Sequence, residues 1–159
     1  MSVLTNLGSS LFRPGEIIVD YDEQIKELIV ISKGKCDLHG KVKLSDGSYE
    51  SVLITRLRKW SWYGELQILM DLKSDLQLNA SIPIKSPDKY EGYIHVFKLD
   101  AEKLKRIVKD YPSFKAFLLI RATQRRSYFK QVLYEISNIM ELNRKRTVHD
   151  CFYIQNPSV

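Results

Sequence analysis

The chain has 159 residues, 44% hydrophobic and 28% charged, with a net charge of +6. That length suits one domain with its own core, and the balance is that of a soluble globular protein. It excludes a membrane-spanning helix: no apolar run approaches roughly 18 residues, and the longest, Ala116 to Ile120, ends at Arg121.

The first segment, Met1 to Ser10, has no basic region before its apolar residues, so no signal peptide is expected. Residues 1–11 read as a helical or flexible lead-in to a domain at 12–142, with 143–159 as a C-terminal tail. After the turn at Pro14-Gly15, Glu16 to Tyr21 reads as a strand. Glu27 to Ile31 reads as a buried strand, stopped at Lys33-Gly34. Lys35 to Leu38 is a short strand running into Gly40. Lys41 to Leu44 and Glu50 to Leu57 flank Asp46-Gly47, a strong hairpin signal. Gln77 to Ile84 and Tyr93 to Leu99 alternate apolar and polar residues, with Ser86-Pro87-Asp88-Lys89 as the turn between them. About eight short strands with regular turns predict an antiparallel, jelly-roll-like β-roll.

The period then changes. Asp100 is an N-cap candidate for a helix that runs to about Lys109 and stops before Tyr111-Pro112. Ser113 is the candidate cap of a second helix, whose apolar residues from Phe114 to Met140 recur at helical spacing. The fold class is therefore α+β, a roll followed by two C-terminal helices. Most of the long stripe is expected to pack as a lid on the roll. Phe129, Val132, Ile136 and Ile139 form a narrower seam suited to a partner protein or a second copy, with Arg125, Arg126 and Lys130 beside it to meet acids of that neighbour.

The chemistry-bearing residues are few. Cys36 and Cys151 lack CxxC spacing and read as reduced thiols of a cytosolic protein. His39, His95 and His149 do not pair at metal-ligand spacing and read as surface or strand residues. No nucleophile elbow, P-loop, metal cluster or histidine–carboxylate pair is present, so no enzyme is expected. The late basic residues lack a helix-turn-helix, zinc or RNP pattern, so nucleic acid is not expected as a partner. The informative dipeptide is Gly64-Glu65, after Trp60-Ser61-Trp62-Tyr63. Glycine permits a close backbone approach, the next N–H groups open a helical turn, and glutamate can accept from a sugar hydroxyl.

Phe12-Arg13-Pro14-Gly15-Glu16-Ile17-Ile18, Ile31-Ser32-Lys33-Gly34-Lys35 and Tyr63-Gly64-Glu65-Leu66, in that order, resemble the cyclic-nucleotide-binding domain family over about residues 12–135. The resemblance implies a pocket for cAMP or cGMP at Gly64, Glu65, Leu66 and Ser81, closed by the C-terminal helix. Leu99-Asp100, Tyr111-Pro112 and Arg121…Gln124-Arg125-Arg126…Phe129 are more similar to the C-terminal domain of voltage-gated potassium channels, and the phrasing around Gly64-Glu65 to those of ciliates. A channel's transmembrane portion is absent from this sequence, so membrane association would come only through it.

One departure governs the functional expectation. The family's cassette carries an arginine, within Arg-x-Ala-Ser/Thr-Val, that pairs with the cyclic phosphate. The matching stretch here is Leu78-Asn79-Ala80-Ser81-Ile82, so Leu78 takes the arginine position; a one-residue slip offers only Asn79 or Gln77. The cassette holds Glu65, Asp71 and Asp75 against Lys73 alone. A charge-assisted hydrogen bond contributes about 1.5–3 kcal/mol, and losing about 3–4 kcal/mol weakens binding roughly 100- to 1,000-fold. The expectation is a non-catalytic cytosolic regulatory or assembly domain, channel-related, with weak or lost nucleotide binding and no obligate cofactor. The alternatives are a working cAMP/cGMP sensor and a structural subunit that uses a vestigial roll as scaffold.

Overall fold

The computed structural model describes residues 7–83 and 92–155, with side chains through Thr147. Among these residues eight antiparallel strands form two four-stranded sheets. In chain order they are β1 (Gly8–Phe12), β2 (Ile17–Val19), β3 (Glu27–Lys33), β4 (Cys36–Lys43), β5 (Tyr49–Leu57), β6 (Trp62–Tyr63), β7 (Gln77–Ala80) and β8 (Ile94–Asp100). One sheet runs β1-β8-β3-β6 and the other β2-β7-β4-β5. Alternation builds the core between them: Ile29 and Ile31 of β3, Cys36 and Leu38 of β4, Leu78 and Ala80 of β7, and Val96 of β8 are all buried.

The β4–β5 turn has the predicted chemistry. Gly47 sits at φ 84°, the Gly47 N–H donates to the Leu44 carbonyl, and the Leu44 N–H donates to Ser48. Among the described residues there are three helices: α1 (Glu65–Met70) between β6 and β7, then α2 (Ala101–Asp110) and α3 (Pro112–Gln155). Asp100 caps α2 as expected, its carboxylate accepting from the N–H groups of Glu102 and Lys103. Leu104 and Val108 are the buried side of that helix.

Several expectations need correction. Residues 8–11, placed in a helical or flexible segment, form strand β1 together with Phe12, and the strand pairs with β8 from Gly8↔Lys98 to Phe12↔Ile94. An edge strand satisfies its backbone from one side only and needs little apolar content, which Gly8-Ser9-Ser10 lacks. The strands read separately at Lys35–Leu38 and Lys41–Leu44 are one strand, β4, that passes through Gly40 without a break. The second helix begins at Pro112 rather than after a Ser113 cap: proline suits the first helical position, and the Tyr111 carbonyl accepts from Phe114 and Lys115. The expected tail from 143 continues α3 as far as Gln155. The turn at Ser86-Pro87-Asp88-Lys89, the end of the Gln77–Ile84 reading and residues 1–6 and 156–159 lie outside the described residues, as do the side chains of His149 and Cys151.

Candidate functional site

Gly64 starts the site. Its φ of 113° lies where side chains are disfavoured, and a Cβ there would come within 3.0 Å of Ile25. This turn carries the chain from β6 directly into α1, where the Ile68 N–H returns to the Gly64 carbonyl. Glu65 and Leu66 follow, both buried. Behind them a hydroxyl chain closes the cassette: the Tyr63 hydroxyl and Ser74 Oγ are 2.8 Å apart, Ser74 Oγ donates to the Leu76 carbonyl, and Gln67 donates to the Tyr63 hydroxyl. Burial is the main influence raising the Tyr63 phenol.

Glu65 is 1% exposed and faces the C-terminal helix. Arg125 of α3 donates from Nη2 to Glu65 Oε1 at 2.5 Å and from Nη1 to the Trp62 carbonyl at 3.0 Å. Burial pushes the Glu65 carboxyl up; the Arg125 guanidinium opposes that and keeps a partner on the charge. One helical step on, Arg126 pairs with Asp75 at 3.3 Å, while Asp71 accepts from Gln24. The arginines expected to meet acids of a neighbour therefore meet acids of their own cassette.

α3 continues along the roll as the space-filling element. Leu118, Ala122 and Phe129 are buried and Leu133 is half-buried, at steps of four, seven and four residues that keep them on one face. Leu133 enters the roll where β4 has no side chain: a Cβ on Gly40 would sit 2.7 Å from Leu133 and 2.9 Å from Ile54. At the far end the Glu141 carboxylate accepts from the Ser45 N–H and hydroxyl, and Arg144 pairs with Asp46 at 2.9 Å. The expected seam is thereby divided. Phe129 belongs to the domain's own core, Val132 and Ile136 are half-buried, and only Ile139 is largely exposed.

Of the four predicted site residues, Gly64, Glu65 and Leu66 lie together at the start of α1. Ser81 lies elsewhere. It follows β7, donates to Asp37 at 2.6 Å, and lines a separate cleft of about 600 Å³ with Lys33, Lys35 and Arg56. Arg56 donates to Asp37 at 2.7 Å, so the one arginine lining this cleft shares its carboxylate with Ser81. Burial raises the Asp37 carboxyl, but Arg56 and Ser81 together outweigh it and hold the group below the ordinary range. Leu78 sits mid-strand opposite Leu38, with its side chain wholly buried in the core. Arg56, Arg125, Leu133 and Gly40 are the residues the sequence reading did not place in the site. Gly40 carried the one available signal, a glycine inside a strand.

Cys36 is a free, buried thiol, and burial pushes it up to about 12. Among the described residues no cluster of three metal-binding side chains occurs, and no helix is long and apolar enough to cross a membrane.

No family model and no curated protein matches the chain. Solved structures do. The regulatory domain of Toxoplasma gondii PKA, crystallised with cAMP, superposes with a TM-score of 0.61 at 16% identity over 77% of this chain and 41% of that one. The regulatory subunit of a cAMP-independent protein kinase A from Trypanosoma brucei gives 0.57 at 18% over 82% and 41%. The Thermus thermophilus catabolite activator protein gives 0.57 at 14% over 83% and 56%. This chain thus spans about two-fifths of the two kinase subunits. Two packed antiparallel sheets, a helical turn opened by Gly64-Glu65 and C-terminal helices laid across them are the cyclic-nucleotide-binding fold.

Proposed function

We propose that this chain is a non-catalytic regulatory or assembly domain whose nucleotide cradle is occupied by its own C-terminal helix, so that cAMP and cGMP bind weakly or not at all. The observation that carries this reading is the pairing of Glu65 with Arg125, deep in the position where the resemblance implies a ribose acceptor. A ligand that used Glu65 would first have to strip it of Arg125, and then displace Phe129 and Leu133 from the roll. The cassette offers no arginine in return: Leu78, at the phosphate position of the resemblance, is buried in the core, Arg56 is engaged by Asp37, and Arg121, on the cleft beside Glu65, stacks on Phe117 from outside the cassette. A ligand can shift the helix only by its differential affinity for the two arrangements, and here that affinity lacks its strongest contact.

The fold is compatible with a loss of nucleotide dependence, since one structure that shares it is described as cAMP-independent. We further infer a cytosolic setting and a channel-type parent protein; the latter rests on the phrasing of Tyr111-Pro112 and of the segment from Arg121 to Phe129. A calorimetric titration with cAMP and with cGMP tests the reading. The expected dissociation constants lie above about 100 μM. Sub-micromolar binding of either nucleotide would overturn it in favour of a working sensor.

A further inference from the structure

The outward side of α3 carries a second pattern that its own domain leaves uncovered. From Phe114 to Leu142, steps of three and four residues mark a stripe about 42 Å long that is exposed throughout. Its two ends are apolar, Phe114 and Phe117 at one and Ile139 and Leu142 at the other, each between 42% and 58% exposed. Tyr128 stands at the centre, 60% exposed. Between centre and ends lie Arg121 and Glu135. Arg121 stacks 5.5 Å over the Phe117 ring and meets no carboxylate among the described residues. Among the described residues the Glu135 carboxylate accepts only from Gln131.

The spacing is symmetric about Tyr128. Arg121 and Glu135 are each seven residues from it, Phe117 and Ile139 eleven, Phe114 and Leu142 fourteen. We infer that α3 pairs antiparallel with α3 of a second copy, about a two-fold axis at Tyr128. This inference rests on the assembly role proposed above and names the partner. In such an isologous contact every interaction occurs twice. Arg121 faces the partner's Glu135, Phe117 meets the partner's Ile139, and Phe114 meets the partner's Leu142. A parallel pair would set Arg121 against Arg121 and Glu135 against Glu135, two like-charge contacts, so charge selects the antiparallel arrangement. The β5–β6 loop and the start of β6 supply a wall. Trp60 and Trp62 flank Phe117 and Arg121 around an open cleft of about 780 Å³, whose floor is the Glu65–Arg125 pair, and the partner's Ile139–Leu142 end runs along its rim.

The test is sedimentation of the full chain over a range of about 1–200 μM, with Arg121→Glu, Glu135→Arg and the double variant. The wild type is expected to dimerise with rising concentration. Each single swap turns two attractive pairs into two repulsive ones and should weaken the dimer about 10- to 100-fold. The double swap should restore it to within about three-fold, a rescue that only the antiparallel register provides. These positions are exposed, so unchanged thermal melting establishes that the variants are folded. Tyr128→Cys, in a Cys151→Ser background, should cross-link to itself on oxidation, and Phe114→Cys should not. A wild type monomeric at about 200 μM, single swaps without effect, or a double variant as weak as the singles would each overturn the pairing. A monomer that ignores cyclic nucleotides would sink the pairing and leave the filled cradle standing. A dimer that binds them at sub-micromolar concentration would do the reverse.

Discussion

The long helix is tied to the roll at two places that look alike on paper and differ in physics. At α1, Arg125 meets Glu65, whose side chain is 2% exposed. At the β4–β5 turn, Arg144 meets Asp46, with side chains 45% and 44% exposed. The first carboxyl is pushed up by burial and depends on its guanidinium. The second is held well below the ordinary range, by hydrogen bonds from Ser48 first and by Arg144 after that. A buried charge that loses its partner stays buried, whereas an exposed one is taken up by water. The inner contact should therefore govern whether the helix stays in the cradle, and the outer one only where its far end rests.

Removing Arg125 should show the largest effect. Arg125→Ala leaves Glu65 buried without a cation and is expected to cost about 3–5 kcal/mol in urea unfolding. Its pH dependence has a definite sign. Glu65 is raised in the folded state, so the folded protein holds a proton that the unfolded chain releases; stability tied to it is present at low pH and lost as pH rises through the raised value. The deficit of Arg125→Ala should thus shrink as pH falls into the carboxylate range. Glu65→Gln in the same background should recover a large part of it at neutral pH. An equal deficit at every pH would mean that the pair is not what holds the helix.

Gly40→Val comes next. The new methyls would occupy the space of Leu133 and Ile54, at an expected cost of about 1–3 kcal/mol. Leu133→Ala in that background should relieve part of the strain, although Leu133→Ala alone is expected to cost about 1–2 kcal/mol for a half-buried leucine. A double variant whose losses simply add would place Leu133 away from β4. The smallest effect belongs to Arg144→Ala, a slight fall in melting temperature that disappears in about 0.5 M salt.

The same contrast separates what the sequence revealed from what it concealed. Strands β3, β5 and β8 were legible because alternation and apolar runs are local signals, and the Asp46-Gly47 turn because its chemistry is contained in two residues. The turn at Gly64 that opens α1 was legible for the same reason. Strand β1 was not, since its order comes from pairing with β8, more than eighty residues later. The partners that α3 brings to Glu65 and Gly40 were also hidden. Arg125 lies sixty residues from Glu65, and Leu133 more than ninety from Gly40, so neither pairing leaves a trace in a local window. The helical stripe announced that α3 would cover something; it did not separate the residues that enter the roll, such as Phe129, from those that remain outside, such as Ile139.

Amide hydrogen exchange along α3, with and without about 10 mM cAMP, tests the filled cradle most directly. If the helix occupies the roll, the amides from Ala122 to Leu133 exchange as slowly as those of β3 and β8, and the nucleotide leaves them unchanged. Exchange orders of magnitude faster than in those strands, or a segment that opens when cAMP is added, would contradict the account.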